Sequence, residues 1–422
     1  MADAKQFRAP RGVADILPEE QPHWQWLRDT AAKVAESYGY ARIDTPIFES
    51  AGVWLRREAE GTDIVDKEIY RFQDRGGDDL ALRPDVTGGV VRAYLQHGMV
   101  SRPQPVRVYY FGPVFRYDRP QAGRYRVHHQ FGVEAIGDGS AAIDAEVIDL
   151  LRTLYDTVGL TDYLLHLNSI GDAKCRPGYI ERLRDYYRDK LDQLCGDCRR
   201  RFDVNPLRLL DCKNEPCQRF KAGAPKLVDH LCDECDAHFG ALKSYLGELG
   251  VEFEIDHALV RGLDYYTRTA FEFIPRGDES QQGTLGGGGR YDGLVEQLGG
   301  KPTPGVGFGT GIERMILNLR RKELGPAPPE PPDAFIATVS PEAQAAALKL
   351  ARDLRAAGAQ VVVGSSDRSL KAQMRQADAL QARRALILGN EELSSGLVTV
   401  RDLVSASQER VQIGELARLI RA

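Results

Sequence analysis

This 422-residue chain predicts an α+β fold in two or three domains. Three observations carry the prediction. Strand-like segments with period-two patterning dominate the chain up to residue 325. A helical, cysteine-bearing stretch at about 172–250 interrupts them, and a proline-rich spacer at 324–333 precedes a region where strands and helices alternate. The expected organisation is a β-rich domain over 1–325 with a helical insertion, a linker, and an α/β domain over 334–422.

Composition narrows the class. Apolar content of 42% and charged content of 28% are ordinary for a globular protein. No run of about 18 apolar residues suggests a membrane span, and Met1-Ala-Asp-Ala-Lys-Gln-Phe7 lacks the apolar core of a signal peptide, so a cytoplasmic protein is expected. A formal net charge of -5 argues against coating nucleic acid through bulk charge. Local basic surfaces remain. Arg116, Arg119, Arg124 and Arg126 surround a single acid, Asp118, and a second cluster joins Arg368, Lys371, Arg375, Arg383 and Arg384. Taken alone, either cluster reads as a solvated face.

The first elements to justify are Val106–Tyr117 and Arg126–Ile136, strand-like and separated by the turn-rich Asp118-Arg-Pro-Gln-Ala-Gly123. They predict an antiparallel hairpin. Period two sets Arg126, His128, Gln130, Gly132 and Glu134 on one face, and Val127, His129, Phe131, Val133 and Ala135 on the packed face. A near-symmetric hairpin puts Arg116 across from Arg126, a like-charge pair that an anion between them would relieve.

The insertion follows, with helical patterns such as Ile180-Glu-Arg-Leu-Arg-Asp-Tyr-Tyr-Arg188 and all seven cysteines. Cys195-Gly-Asp-Cys198 and Cys232-Asp-Glu-Cys235 are two Cys-x-x-Cys knuckles, the pattern of a tetrahedral thiolate zinc site, although the 33 residues between them exceed the usual ribbon spacing. Free buried thiols are the alternative, and Cys212 and Cys217 could replace one knuckle.

Tyr265–Ile274 reads as a strand with Tyr266, Arg268, Ala270 and Glu272 on one face. The four glycines Gly286–Gly289 fit either a tight hairpin or a place where backbone or ligand must approach closely. Gly305-Val-Gly-Phe-Gly-Thr-Gly311 strips one strand face of side chains and makes a flat floor. Ile312, Met315, Ile316 and Leu319 then take helical spacing, which puts Arg314 in the first turn beside that floor. In the last domain, strands are expected at 334–339, 360–363, 384–388 and 397–402, with helices at 342–357, 370–380 and 413–420.

Together, Arg261-Gly-Leu-Asp-Tyr-Tyr-Thr-Arg-Thr-Ala-Phe-Glu-Phe273 and Leu285-Gly-Gly-Gly-Gly-Arg-Tyr-Asp-Gly-Leu294 resemble the two signature segments of histidyl-tRNA synthetases. The hairpin and the glycine strand with its helix resemble motifs two and three of class II aminoacyl-tRNA synthetases. Tyr38–Glu49, with Pro46, resembles motif one. Arg11–Pro18, Leu82–Thr87 and Leu370–Asp378 resemble further family segments.

The resemblance implies a class II antiparallel sheet flanked by helices, an anticodon-binding C-terminal domain and a homodimer. It implies activation of L-histidine with ATP, accompanied by Mg2+, and transfer to tRNA(His). Residue by residue, it implies that Asp85, Thr87 and Gln130 hold the amino group of histidine, that Glu134 and Tyr266 read its imidazole beside Tyr265, and that Arg116 grips the α-phosphate and the carboxylate. It implies that Arg314, helped by Arg124 or Arg126, neutralises the outer phosphates and that His128 stacks on adenine. It further implies that Arg261 stands at the α-phosphate and that Gln121 approaches the acceptor end of the tRNA. Asp85 and His128 depart from the family's common glutamate and phenylalanine. A competing expectation is a histidine-binding regulatory paralogue of ATP phosphoribosyltransferase, which typically lacks the anticodon domain and the arginine of the opening signature.

Overall fold

β-Branched and aromatic residues at alternate positions support two ten-residue strands, Val106–Phe115 and Val127–Ile136. The computed structural model describes residues 7–55, 67–118, 125–260, 265–277 and 284–421. These fall into two compact units, Met1–Pro326 and Ala327–Ala422. The first unit contains β1 (Ala41–Arg42), β2 (Phe48–Ser50), β3 (Tyr70–Gln73), β4 (Asp79–Leu82), β5 (Val106–Phe115), β6 (Val127–Ile136), β7 (Tyr163–Ser169), β8 (Phe253–Ile255), β9 (Thr267–Pro275), β10 (Gly286–Arg290) and β11 (Gly305–Gly311). Its main sheet runs β1-β5-β6-β11-β10-β9-β7-β8. The six inner strands pair antiparallel, and the short edge strands β1 and β8 join in parallel.

Helices cover this sheet unequally. They are α1 (Gln21–Ser37), α2 (Thr87–Gln96), α3 (Ala141–Thr157), α4 (Arg176–Arg188), α5 (Gly196–Val204), α6 (Glu215–Gln218), α7 (Asp233–Glu248), α8 (Leu294–Gln297) and α9 (Ile312–Arg321). Leu27, Leu151 and Met315 of α1, α3 and α9 pack on Phe131, Phe271 and Phe308 to close one sheet face. On the other face, tyrosines 110, 266 and 291 join a separate core that extends to Tyr179, Leu183 and Leu209 of the insertion. The second face is therefore the one left to build a cleft.

The hairpin pairs as its sequence predicts. Phe115 lies opposite Val127, and the Arg116 backbone N–H donates to the Arg126 carbonyl at 2.9 Å. Phe131, Val133 and Ala135 are buried on the packed face. Gly286–Gly289 is an inner strand of the sheet, with β9 on one side and β11 on the other, which replaces the tight hairpin and bears out the close backbone approach: a Cβ on Gly288 would stand 2.0 Å from the Gly307 carbonyl. One further reading is corrected. The expected strand at Tyr265 begins at Thr267, and its alternation breaks at Arg268, which has φ 49°. There the β9–β10 register shifts, turning Arg268 out of line with Ala270 and Glu272.

Between β7 and β8 the described residues form helices and short 3-10 turns without a strand. A buried ion pair fastens this insertion to the sheet: Arg290 Nε donates to Asp144 Oδ1 at 3.0 Å, and His238 of α7 meets Asp144 Oδ2 at 2.9 Å. Burial works against the Asp144 charge, but His238 and Arg290 hold its carboxyl below the ordinary range.

The second unit contains β12 (Ala334–Thr338), α10 (Pro341–Ala356), β13 (Val361–Val363), α11 (Leu370–Ala379), β14 (Arg384–Leu388), α12 (Asn390–Ser395), β15 (Leu397–Asp402), β16 (Gln408–Gln412) and α13 (Leu416–Arg421). The sheet order is β13-β12-β14-β15-β16. Ser340 and Ser369 cap α10 and α11 by accepting from Ala343 and Ala372 backbone N–H groups. Gln373 is fully buried, donating to the Thr338 carbonyl at 2.7 Å and accepting from the Thr338 N–H at 3.0 Å. One amide side chain thus completes the end of β12.

Candidate active site

The glycines of β10 and β11 make a floor because side chains there would collide with the opposite strand. A Cβ on Gly307 would stand 2.0 Å from Glu134 Oε2 and 2.4 Å from the Val133 carbonyl, while one on Gly305 would stand 2.3 Å from the Tyr291 ring. The bare backbone lets Glu134 and Tyr291 lie flat beneath a cleft with about 410 Å³ of empty space.

Seven of the residues selected from sequence line this one cleft: Asp85, Thr87, Arg116, Gln130, Glu134, Tyr265 and Tyr266. They arrive from separate elements. Asp85 and Thr87 sit at the start of α2, Arg116 just beyond β5, Gln130 and Glu134 on the open face of β6, and the tyrosines just before β9. Tyr110, Tyr291 and Phe308 also line it. Sequence reasoning missed Tyr110 and Tyr291 as site residues. Period two from the hairpin could have placed Tyr110 on the open face, and Tyr291 stood within a signature segment.

Buried carboxylates define the cleft's chemistry. Asp85 Oδ1 accepts from the Gly88 N–H at 3.1 Å, while buried Oδ2 has no hydrogen-bond partner among the described residues. An ammonium group is the natural occupant for that oxygen, because an unpaired buried carboxylate oxygen is costly. Glu134 is 1% exposed and accepts from Thr87 Oγ1 at 2.6 Å and from Tyr291 Oη at 2.7 Å. Burial lifts its carboxyl to about 8, against the pull of those two hydrogen bonds and with a further push from Asp85. Arg116 supplies the positive wall, held in place by donating from Nε to the Pro84 carbonyl at 2.8 Å.

The anion-binding candidates spread beyond this cavity. Burial, followed by the charges of Arg116 and Arg314, lowers the His128 imidazole to about 3, so the ring is neutral. Arg314 Nη1 donates to the Thr284 carbonyl at 2.8 Å. Arg126 lies instead over the Tyr117 ring at 4.0 Å. Arg116 and Arg126 therefore share a backbone pair while their side chains go to different partners. Arg261, Gln121 and Arg124 lie outside the described residues.

The cysteines require a correction. Cys195 and Cys198 do not share a site with Cys232 and Cys235. The first knuckle meets Cys212 and Cys217, while the second meets Cys175 and Asp172. The first knuckle finds its partners shortly after it in sequence, while the second reaches back to Asp172 and Cys175, ahead of the first knuckle.

An antiparallel sheet with a glycine floor, an arginine beyond its motif-two strand and a motif-three strand and helix define a class II aminoacyl-tRNA synthetase. The family model of histidyl-tRNA synthetase matches residues 12–315, and that of an anticodon binding domain matches 333–422. A histidine–tRNA ligase of Dehalococcoides mccartyi is 52% identical over 97% of this chain and 98% of its own. One from Desulforamulus reducens is 47% identical over 98% of both. The solved apo histidyl-tRNA synthetase of S. aureus is 35% identical, with a TM-score of 0.82 over 99% of this chain and 100% of that one. The chain belongs to the histidyl-tRNA synthetase family.

Proposed function

We propose that this chain activates L-histidine with ATP and transfers the histidyl group to the 3′ end of tRNA(His). The observation that carries the reading is the gathering in one cleft of Asp85 with a lone buried oxygen, Glu134 under the glycine floor, and Arg116. An ammonium, an imidazole and a carboxylate each find a partner there. Gln130 and Thr87 support the amino group, and Tyr265 and Tyr266 close around the ring. A site that matches each polar group of its substrate rejects apolar analogues strongly, since they would leave buried groups unpaired.

In the first step the histidine carboxylate oxygen attacks the α-phosphorus of ATP, forming histidyl-adenylate and releasing pyrophosphate. A terminal ribose hydroxyl of the tRNA then attacks the acyl carbon and releases AMP. Both steps move negative charge onto oxygen, which fixed guanidinium groups stabilise without a side-chain nucleophile. Arg116 and Arg261 take the α-phosphate, Arg314 takes the outer phosphates with Arg124 or Arg126, and His128 stacks on adenine. Gln121 meets the acceptor end. Mg2+ bound with ATP would supply a counter-charge to its phosphates, and Glu272, whose Oε2 accepts from Thr284 Oγ1 at 3.0 Å, would offer a carboxylate to hold it.

The working form is a homodimer built around Pro46. Ile47, Phe48 and Phe72 are each more than two-fifths exposed, and register places Phe48 and Phe72 on one face of the small β2-β4-β3 sheet. Such a face suits a second copy of the chain. Exposed Arg368, Lys371 and Arg375 on and beside α11 offer phosphate contacts for the anticodon arm. Protein synthesis places the enzyme in the cytoplasm. Among the described residues no helix is long and apolar enough to cross a membrane. The regulatory-paralogue reading accounts for neither the second unit nor full-length identity to histidine–tRNA ligases.

ATP–pyrophosphate exchange with each of the twenty amino acids, run without tRNA, tests the reading. Exchange with histidine alone is expected. Histidine binding without exchange would replace the ligase with the regulatory paralogue.

A further inference from the structure

All seven cysteines are unpaired thiols, and they form two separate groups. In each group the candidate ligand atoms lie within 4.8 Å of one another. Zinc bound to sulfur at about 2.3 Å in a tetrahedron sets its sulfurs about 3.8 Å apart, whereas a disulfide needs about 2 Å. Cys195 Sγ and Cys212 Sγ stand 3.9 Å apart. Backbone N–H groups point at the same cluster: Cys195 donates to Cys217 Sγ at 3.2 Å and Cys198 to Cys195 Sγ at 3.5 Å. These donors favour thiolates.

The second group has a different donor set. Asp172 Oδ1 lies 3.6 Å from Cys175 Sγ and 3.9 Å from Cys232 Sγ. A mixed oxygen and sulfur tetrahedron sets that separation at about 3.5 Å. The other carboxylate oxygen, Oδ2, is held by Arg268 Nη2 at 3.4 Å. Arg268 is the residue whose positive φ turns it out of β9, so strained backbone serves an outer contact to this cluster. The amino group of Lys174 bonds Glu234 at 2.7 Å and ties the Asp172–Cys175 segment to the Cys232–Cys235 knuckle.

We propose that the insertion carries two structural zinc ions, one held by Cys195, Cys198, Cys212 and Cys217, the other by Asp172, Cys175, Cys232 and Cys235. The local fold gives them work. Residues 191–218 form only α5, α6 and two 3-10 turns, none longer than 9 residues, and elements so short do not hold themselves together. A tetrathiolate ion supplies the missing folding free energy. The second site is linked to the cleft through Tyr266. The segment carrying Asp172 and Cys175 bonds the chain beside Tyr266: Arg268 N–H donates to the Gly171 carbonyl at 2.7 Å, Ile170 N–H to the Arg268 carbonyl at 2.7 Å, and Arg176 Nη2 to the Tyr266 carbonyl at 2.7 Å. Zinc at this site positions Tyr266.

The test uses the full chain produced with zinc in the medium and purified without chelators. Elemental analysis is expected to give two zinc ions per chain, and X-ray absorption is expected to show mainly sulfur with a minor oxygen contribution. Cys212→Ser with Cys217→Ser, and separately Cys232→Ser with Cys235→Ser, should each leave one. Because either pair could unfold the insertion, titration of wild-type thiols with a mercurial should also release two zinc equivalents in step with thiol modification. A ratio near zero after zinc reconstitution, a single ion, or iron in place of zinc would overturn the assignment. The effect on Tyr266 rests on the ligase reading and has its own readout: loss of the second ion should raise KM for histidine several-fold with smaller change in kcat. Metal content is measured independently of activity.

Discussion

Asp85 and Glu134 share a cleft, and their surroundings give them opposite tasks. Among the described residues one buried oxygen of Asp85 has no partner, so its carboxylate is costly until a cation arrives. Asp85→Asn should therefore raise KM for histidine by about ten- to a hundredfold, the loss of a charge-assisted hydrogen bond of about 1.5–3 kcal/mol. The same variant should melt no lower than wild type, since an uncompensated buried charge is gone. Pyrophosphate exchange and calorimetry measure the two effects, and an unchanged KM would remove Asp85 from the ammonium site. Glu134 is the reverse case, with burial lifting its carboxyl from 4.5 to about 8. The folded state thus retains a proton that the unfolded state has released. This contribution to stability is complete below the unfolded value and is lost as pH rises through about 8. Without ligand, the wild-type melting temperature should fall more steeply between pH about 5 and about 9 than that of Glu134→Gln. Parallel curves in calorimetry would show that Glu134 titrates normally.

The elements that build the cleft differ in how clearly residues announce them. In the β5–β6 hairpin, alternation separates Gln130 and Glu134 from Phe131 and Val133, and a one-residue slip would exchange the two faces. Gly307 shows what the floor requires. A methyl there meets both Glu134 Oε2 and the Val133 carbonyl, and the carbonyl belongs to β6 itself. Gly307→Ala should cost about 1–3 kcal/mol as the strands separate, and exchange should fall much further than stability does. Denaturant unfolding beside exchange kinetics would separate these effects; full exchange would mean that the floor tolerates the displacement. Other features were illegible for physical reasons. The bulge at Arg268 bonds Ile170, Gly171 and Asp172, nearly a hundred residues away, so local alternation wrongly keeps Arg268 in line. Gly286–Gly289 carries no side-chain pattern, and only its neighbours make it a strand. The polar edge strand β16, Gln-Glu-Arg-Val-Gln, lacks an apolar face to reveal it. The cysteine knuckles were visible, but spacing alone could not choose their partners.

At the scale of the whole molecule, each unit closes its own core. Leu151, Phe271 and Phe308 centre the first, while Ile336, Leu350, Leu386 and Val398 centre the second. Every described residue lining the cleft belongs to the first unit. The residues proposed for adenylate formation all belong to the first unit, whereas recognition of a long tRNA gains from a second contact surface through effective concentration. A chain ending at Pro326 should therefore keep ATP–pyrophosphate exchange, with KM for histidine within about threefold of the full chain. Its kcat/KM for tRNA charging should fall by about 10² or more, the scale of losing one of two linked contacts. Exchange and charging assays on the same preparation, with its folding checked by cooperative thermal unfolding, distinguish the outcomes. Lost exchange in a folded fragment would mean that the second unit shapes the cleft. Undiminished charging would mean that Arg368, Lys371 and Arg375 contribute nothing to tRNA binding, leaving the first unit to carry both substrates.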